Sequence, residues 1–247
     1  MFRSIRKIFG FSLQAQDGHI GHVIDFYFDD EKWTIRYLVA DTGGLITGKQ
    51  VLISPASFLG KPKWKEKEFP LVLTKRMIEE SPSIANDLPV SRQKELELAV
   101  YYDWPQYWET LPEAGMPPLF PTSNGLLRES LPPPEEPAGH DVHLRSAKEV
   151  FKYHIAAKDG EIGHAEDIIV DEETWVIRYV VIDTRNWLPG KEVLIPPDHI
   201  MRIDWDISEL EVDLTKRQIQ ESPAYSEDKT IDQQYEEKLN NYFNSVS

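Results

Sequence analysis

Asp17-Gly18-His19-Ile20-Gly21-His22-Val23-Ile24-Asp25 runs on to Trp33-Thr34-Ile35-Arg36-Tyr37 and Asp41-Thr42. The same pattern returns as Asp159-Gly160-Glu161-Ile162-Gly163-His164-Ala165-Glu166-Asp167, then Trp175-Val176-Ile177-Arg178-Tyr179 and Asp183-Thr184, at a constant shift of 142 residues. A repeat of this length means two copies of one folding unit in a 247-residue chain.

Outward from that stretch, Phe9, Phe11, Leu13 and Ala15 alternate, as do Phe151, Tyr153, Ile155 and Ala157, which predicts a half-buried strand in each copy. Asp17-Gly18 and Asp159-Gly160 supply a hairpin turn, because glycine enters positive φ cheaply. Strands are expected at about 20–28 and 162–170, and at Ile35, Tyr37, Val39 and Ile177, Tyr179, Val181. The last of these are apolar on both faces, as central strands are. Val51-Leu52-Ile53 and Val193-Leu194-Ile195 stop at Pro55 and Pro196-Pro197, and further strands are expected at Phe58-Leu59 or Ile200-Met201 and over Leu210 to Leu214. Many short strands separated by turns predict a small barrel or sandwich, and closure would remove its edges.

Past Trp64 and Trp205 the shift is 141 residues. Leu-Thr-Lys-Arg at 73–76 and 214–217 predicts a short helix capped by Thr74 or Thr215 and stopped by Pro82 or Pro223. Gln218 completes a capping box that Met77 breaks in the first copy. Second helices are expected over about 91–102 and 232–243. Nine of the 18 prolines fall between Pro105 and Pro137, so the copies are joined by an extended, semi-rigid linker. Phe120, Leu126, Leu127 and Leu131 are its candidate anchors. The expected divisions are 1–108, a linker at 109–144, and 145–247.

Net charge is -15, from 42 acidic and 27 basic residues, which repels phosphate backbones and anionic bilayers. No nucleic acid partner is expected. With no cysteine, disulfides, thiolate catalysis and cysteine-ligated zinc are excluded. No stretch approaches the ~20 apolar residues of a membrane span, and polar residues follow the N-terminal Met1–Gly10 too soon for a signal peptide, so a cytoplasmic location is expected.

These motifs, with Gly-Lys-x-Val-Leu-Ile-x-Pro after them, resemble the PRC-barrel domain, the small β-barrel of the photosynthetic reaction-centre H subunit that also occurs in the ribosome maturation factor RimM. The resemblance covers residues 4 to about 82 and 146 to about 223. Thr-Lys-Arg-x-Ile-x-Glu-Ser-Pro and Tyr101-Tyr102-Asp103-Trp104-Pro105-Gln106-Tyr107-Trp108 look like soluble tandem bacterial PRC-barrel proteins. The resemblance implies an all-β fold of two PRC-type barrels in tandem, each followed by short helices. It also implies a non-enzymatic interaction role without a cofactor. No counterpart of the H subunit's membrane helix or of RimM's N-terminal domain is expected in this sequence.

Asp25 with Arg36, and Asp167 with Arg178, sit on neighbouring strands in both copies and are expected to form cross-strand ion pairs that set register, worth roughly 0.2–1 kcal/mol each. His22 and His164 follow turn glycines. A metal would need more ligands, and His19 becomes Glu161 in the second copy, so structural histidines and no metal site are expected. Asp41-Thr42-Gly43-Gly44 with Gly48-Lys49 lacks the spacing of a phosphate loop. No paired carboxylates, and no serine in a Gly-x-Ser-x-Gly elbow, point to catalysis. The aromatic run Tyr101, Tyr102, Trp104, Tyr107 and Trp108 fits a partner surface or a seal on the barrels. The expectation is a scaffold or adaptor with protein partners, its barrels paired within the chain or through dimerisation. The alternatives are a small-molecule or pH sensor in an inter-barrel cleft, a reaction-centre-related assembly factor and, lastly, a hydrolase. Regions where the copies differ, such as Gly43-Gly44 against Arg185-Asn186, are where a functional surface is sought.

Overall fold

The computed structural model describes residues 1–43, 49–82, 84, 90–108, 144–184 and 190–246. The expected linker up to residue 143, its four apolar anchors, and the loop residues Gly44, Gly48, Arg185 and Asn186 lie outside the described residues, whereas Leu144 already opens a strand. The first unit contains β1 (Phe2–Ser4), β2 (Ser12–Ala15), β3 (Gly18–Asp29), β4 (Thr34–Asp41), β5 (Gln50–Ile53), β6 (Glu68–Pro70), α1 (Lys75–Glu79) and α2 (Arg92–Tyr102). The second begins with β7 (Leu144–Ser146), α3 (Ala147–Val150), β8 (His154–Ala157), β9 (Gly160–Asp171), β10 (Ile177–Asp183) and β11 (Glu192–Ile195). It continues with β12 (Ile200–Asp204), β13 (Glu209–Val212), α4 (Lys216–Glu221), β14 (Ala224–Tyr225) and α5 (Gln233–Val246).

Two sheets repeat one order. The first runs β5-β4-β3-β2-β6 and the second β12-β13-β8-β9-β10-β11-β14. In both, the hairpin and the strand after it are antiparallel, and the late strand returns parallel to the first hairpin strand, β6 on β2 and β13 on β8. Among the described residues neither sheet closes through its ladders, contrary to the expectation of closed barrels: each is an open path of strands. The strand expected from residue 9 begins at Ser12, because a 3-10 turn at Arg6–Ile8 precedes it and Gly10 has φ 81°. The strand expected at Phe58-Leu59 is reduced to a single bridge from Phe58 to Leu71, whereas β12 forms at the equivalent place in the second unit.

Helix starts follow the side-chain chemistry read from the sequence. Thr74 Oγ1 accepts from Met77 N at 3.3 Å, and Thr215 makes a full capping box with Gln218. Asp17 and Asp159 accept from Lys75 N and Lys216 N at 2.8 and 2.7 Å, tying the hairpin turn to the helix start. Lys49 and Lys191 reach carbonyl oxygens at the ends of those helices, Ser81 and Ser222, so the lysine of the supposed phosphate loop serves as a C-terminal cap. Gly21 and Gly163, both at φ 68°, pass so close to Asp41 and Asp183 that a Cβ would lie 2.0 Å from the carbonyl oxygen. The repeated Gly and Asp positions are thus consumed by the fold.

The two units are laced together by an exchange of strands. β3 is twelve residues long; β2 covers its start, and β7 of the other unit pairs with its end from Tyr27 to Asp29. Reciprocally, β8 covers the start of β9 and β1 pairs with Ile169 to Asp171. Each arm thereby covers a sheet edge that the other unit leaves open. No helix among the described residues is long and apolar enough to cross a membrane.

Candidate functional site

The seam is nearly two-fold symmetric, and its polar fastening comes from Asp25 and Asp167. Asp25 accepts from Ser146 Oγ at 2.5 Å and Lys148 N at 3.0 Å. Asp167 accepts from Ser4 Oγ and from Arg6 N, the latter at 3.2 Å. Each carboxylate also takes its following backbone N–H, from Phe26 or Ile168, at 2.7 Å. Both carboxyls are buried, which pushes their pKa upward against the pull of these donors, to about 6 for Asp167.

The expected cross-strand ion pairs are therefore corrected. Arg36 instead grips Asp29, with Nη2 at 2.8 Å and Nε at 3.3 Å from one carboxylate oxygen. Burial alone would raise the Asp29 pKa; the guanidinium and the turn N–H groups of Lys32 and Glu31 outweigh it and hold it low. Arg178 lies over the Phe2 ring, 5.8 Å from its centroid. The physical reason is register: Asp25 stands opposite Val39 and Asp167 opposite Val181, so neither faces its arginine, and the incoming arm brings uncharged donors to both carboxylates.

Apolar and cationic contacts repeat the lacing. Arg3 stacks 4.7 Å over Trp64 of its own unit while its Nε reaches Glu172 of the other at 3.2 Å. Arg145 stacks 4.2 Å over Trp205 and lies 3.6 Å from Asp30. Trp33 and Trp175 occupy hairpin turns at positive φ, 48° and 59°. Their carbonyls accept across the dyad, Ile177 N to Trp33 O at 2.7 Å and Ile35 N to Trp175 O at 2.9 Å. The Trp175 ring inserts among Phe26, Phe58 and Phe69 of the first unit, at centroid distances of 5.8, 5.0 and 5.7 Å.

The aromatic run packs on the first unit. Ser91 caps α2, accepting from Lys94 N at 3.2 Å, and Asp103 ends it at φ 57°. The chain then doubles back, so that Trp104 stacks on Tyr102 at 4.2 Å and donates Nε1–H to Ser57 Oγ at 2.7 Å. Tyr102 and Trp104 are buried, whereas Tyr101 is 38% exposed. Beneath Tyr107 lies a polar knot. The Glu95 carboxylate, buried on α2, accepts from Tyr37 and Tyr107 hydroxyls at 3.0 and 2.6 Å, and Arg92 Nη1 lies 3.2 Å from it. Burial and the neighbouring Glu95 raise both tyrosine pKa values. Arg36 sits 4.0 Å over Tyr107 and Arg92 4.4 Å over Trp108, placing two guanidinium groups against aromatic faces.

Of the histidines, His19 Nδ1 lies 3.1 Å from Ser12 Oγ, and His164 Nε2 lies 3.3 Å from Glu166. Sequence reasoning missed the arms, although the dipeptide Arg3-Ser4 recurs as Arg145-Ser146 at the same shift of 142 residues. It also missed Glu95, hidden in a charged helix with no periodic apolar face.

Comparison with known proteins converges on the second unit: the family model for the PRC-barrel domain matches residues 153–219. That span runs from just before β8 into α4 and includes the strands that form the core of the second sheet. No curated protein matches the chain.

Proposed function

We propose that the chain is a non-enzymatic scaffold or adaptor in which two PRC-type units, the second matched by the family model and the first by its repeated motifs and sheet order, act as one rigid platform for protein partners. The observation that carries this reading is the reciprocal strand exchange. It makes the two sheets a single body with a pseudo-dyad, and a rigid body offers partners preorganised surfaces. The partner surface we assign is the rim of the aromatic run, where exposed Tyr101 and the Arg92–Trp108 pair border the buried Tyr102 and Trp104. Quantitative affinity capture with the full chain tests this, run beside a Tyr101→Ala/Trp108→Ala variant of unchanged circular dichroism. Proteins captured by the wild type and lost from the variant support the reading; identical capture by both rejects the assigned surface.

A second reading, a small-molecule or pH sensor between the units, is favoured by a cavity of about 270 Å³ at the seam. Arg6 of the first arm and Glu166, Asp167, Glu192, Tyr225 and Glu227 of the second unit line it. Thermal shift against metabolites across pH 5 to 8 tests it. A ligand whose stabilisation disappears in Arg6→Ala would favour the sensor over the scaffold.

A further inference from the structure

Both units carry the same two-strand frame at the open end of the long hairpin, away from its turn. In the first, His22 on β3 lies opposite Asp41 on β4; in the second, His164 on β9 lies opposite Asp183 on β10. Two residues beyond the histidine, at the β-bulge of each long strand, the copies differ in kind: Ile24 in the first unit and Glu166 in the second. The frame is thus present twice, but a third ligating side chain is present once. In the second unit one ligand atom each from His164, Glu166 and Asp183 lies within 4.8 Å of the other two.

We propose that His164, Glu166 and Asp183 form a divalent transition-metal site, with Zn²⁺ as its cation. An imidazole nitrogen and two carboxylate oxygens suit zinc, whereas Mg²⁺ and Ca²⁺ prefer shells built of oxygen alone. The β9–β10 register sets His164 opposite Asp183, Glu166 stands at the β-bulge between Ala165 and Asp167, and Asp183 is only 6% exposed. Arg6 of the first unit's arm donates to the Oε1 atom of Glu166 while Oε2 faces the histidine, so Arg6 positions the carboxylate for the metal. The adjoining cavity sets Asp167, Glu192 and Glu227 against the single cation Arg6, and a predominantly acidic wall concentrates cations. Three protein donors leave a position of the tetrahedron for water. The site joins residues of the second unit with an arm of the first, so metal binding would favour the laced state over an opened one. It goes beyond the scaffold reading and does not depend on it.

The test is calorimetric titration of ZnCl₂ into the full-length, chelator-stripped protein, with thermal melts at saturating Zn²⁺ and at equal Mg²⁺. A single Zn²⁺ is expected to bind and to raise Tm by mass action, with Mg²⁺ leaving Tm unchanged. His164→Asn and Glu166→Ile, the latter installing the first unit's residue, should each weaken binding by about tenfold or more, since even outer-shell losses cost that much. His22→Asn, in the two-ligand frame, should bind as the wild type does. Absence of saturable Zn²⁺ binding, or equal affinity in His164→Asn, overturns the proposal. Should Glu166→Ile fail to fold for want of its Arg6 contact, the two histidine variants decide the matter alone.

Discussion

Ser146, on the arm of the second unit, donates its hydroxyl hydrogen to Asp25 of the first across 2.5 Å, and Ser4 makes the matching bond to Asp167. These paired bonds fasten the exchanged strands at both ends of the pseudo-dyad. Ser146→Ala would leave a buried carboxylate one donor short while retaining the N–H groups of Lys148 and Phe26. A loss of about 1–3 kcal/mol is expected. Urea denaturation followed by tryptophan fluorescence should show a lower midpoint and a single transition, since the units share their sheets. Two separate transitions in the wild type would show that the lacing does not couple them.

Asp167 gives the fold a pH dependence of defined sign. Its folded pKa, about 6, lies above the ordinary 3.8 because burial disfavours the anion. The folded state therefore binds the proton more tightly than the unfolded chain. The resulting stabilisation is complete below the unfolded pKa and is lost as pH rises through about 6. Its full size is on the order of 3 kcal/mol for a shift of about two units. Asp167→Asn, fixed in the neutral form, should flatten the stability profile between pH 4 and 7 relative to the wild type. Parallel profiles from urea titrations at those pH values would refute the assignment.

Trp175 and Trp33 are equivalent in sequence but unequal in burial. Trp175 is 5% exposed within the aromatic cage of Phe26, Phe58 and Phe69, whereas Trp33 is half-buried against Phe28 at 5.7 Å. Trp175→Ala is expected to cost about 3–5 kcal/mol, the range for emptying a large aromatic site. Trp33→Ala should cost visibly less. Equal losses in chemical denaturation would mean that the cage does not hold the seam.

Gly163 tests whether the repeated motif serves geometry. Its φ is 68°, and a Cβ there would fall 2.0 Å from the Asp183 carbonyl oxygen, with no flexible side chain to yield. Gly163→Ala combines a left-handed backbone with a backbone clash, so a destabilisation larger than the ~1 kcal/mol of left-handed strain alone is expected. Gly10→Ala, at φ 81° with open space around it, carries only the strain. Thermal melts of the two variants should differ accordingly.

How far the fold could be read beforehand depended on the range of each interaction. Helix caps at Thr74 and Thr215, the turns at Asp17-Gly18 and Asp159-Gly160, and the central strands are set by residues within a few positions of one another, and they stand as expected. The Asp25 and Asp167 contacts were misassigned because their true donors, Ser146 and Ser4, lie 121 and 163 residues away along the chain. Alternation places a carboxylate on a face but does not say which strand arrives beside it. Asp183, the cross-strand member of the His164 frame, was hidden for a similar reason: reading along one turn misses it, and only the β9–β10 register brings it opposite. The aromatic run was recognised as a cluster, but helix phase puts Tyr102 on the buried face with Leu98 and Ala99 and Tyr101 off it, and the left-handed Asp103 then turns Trp104 back onto Tyr102.

Glu95 anchors that run to the first sheet. It is 1% exposed and takes hydroxyl hydrogens from Tyr37 on β4 and Tyr107 beyond the helix, with Arg92 beside it. Removing the carboxylate leaves a guanidinium and two buried hydroxyls facing a void. Losses of about 3–5 kcal/mol follow when one partner of a buried ion pair is deleted. Glu95→Ala should therefore release the segment around Tyr107 and Trp108 before it disturbs the sheets, because β4 keeps its ladders to β3 and β5. Tyr107→Phe, which removes one hydroxyl and leaves the ring under Arg36, should cost about 1 kcal/mol. Limited proteolysis is the measurement. Early cleavage beside Trp104–Trp108 in Glu95→Ala, with slow cleavage in Tyr107→Phe and the wild type, is the expected order; cleavage of all three at one rate would show that the buried carboxylate is not what holds the segment down.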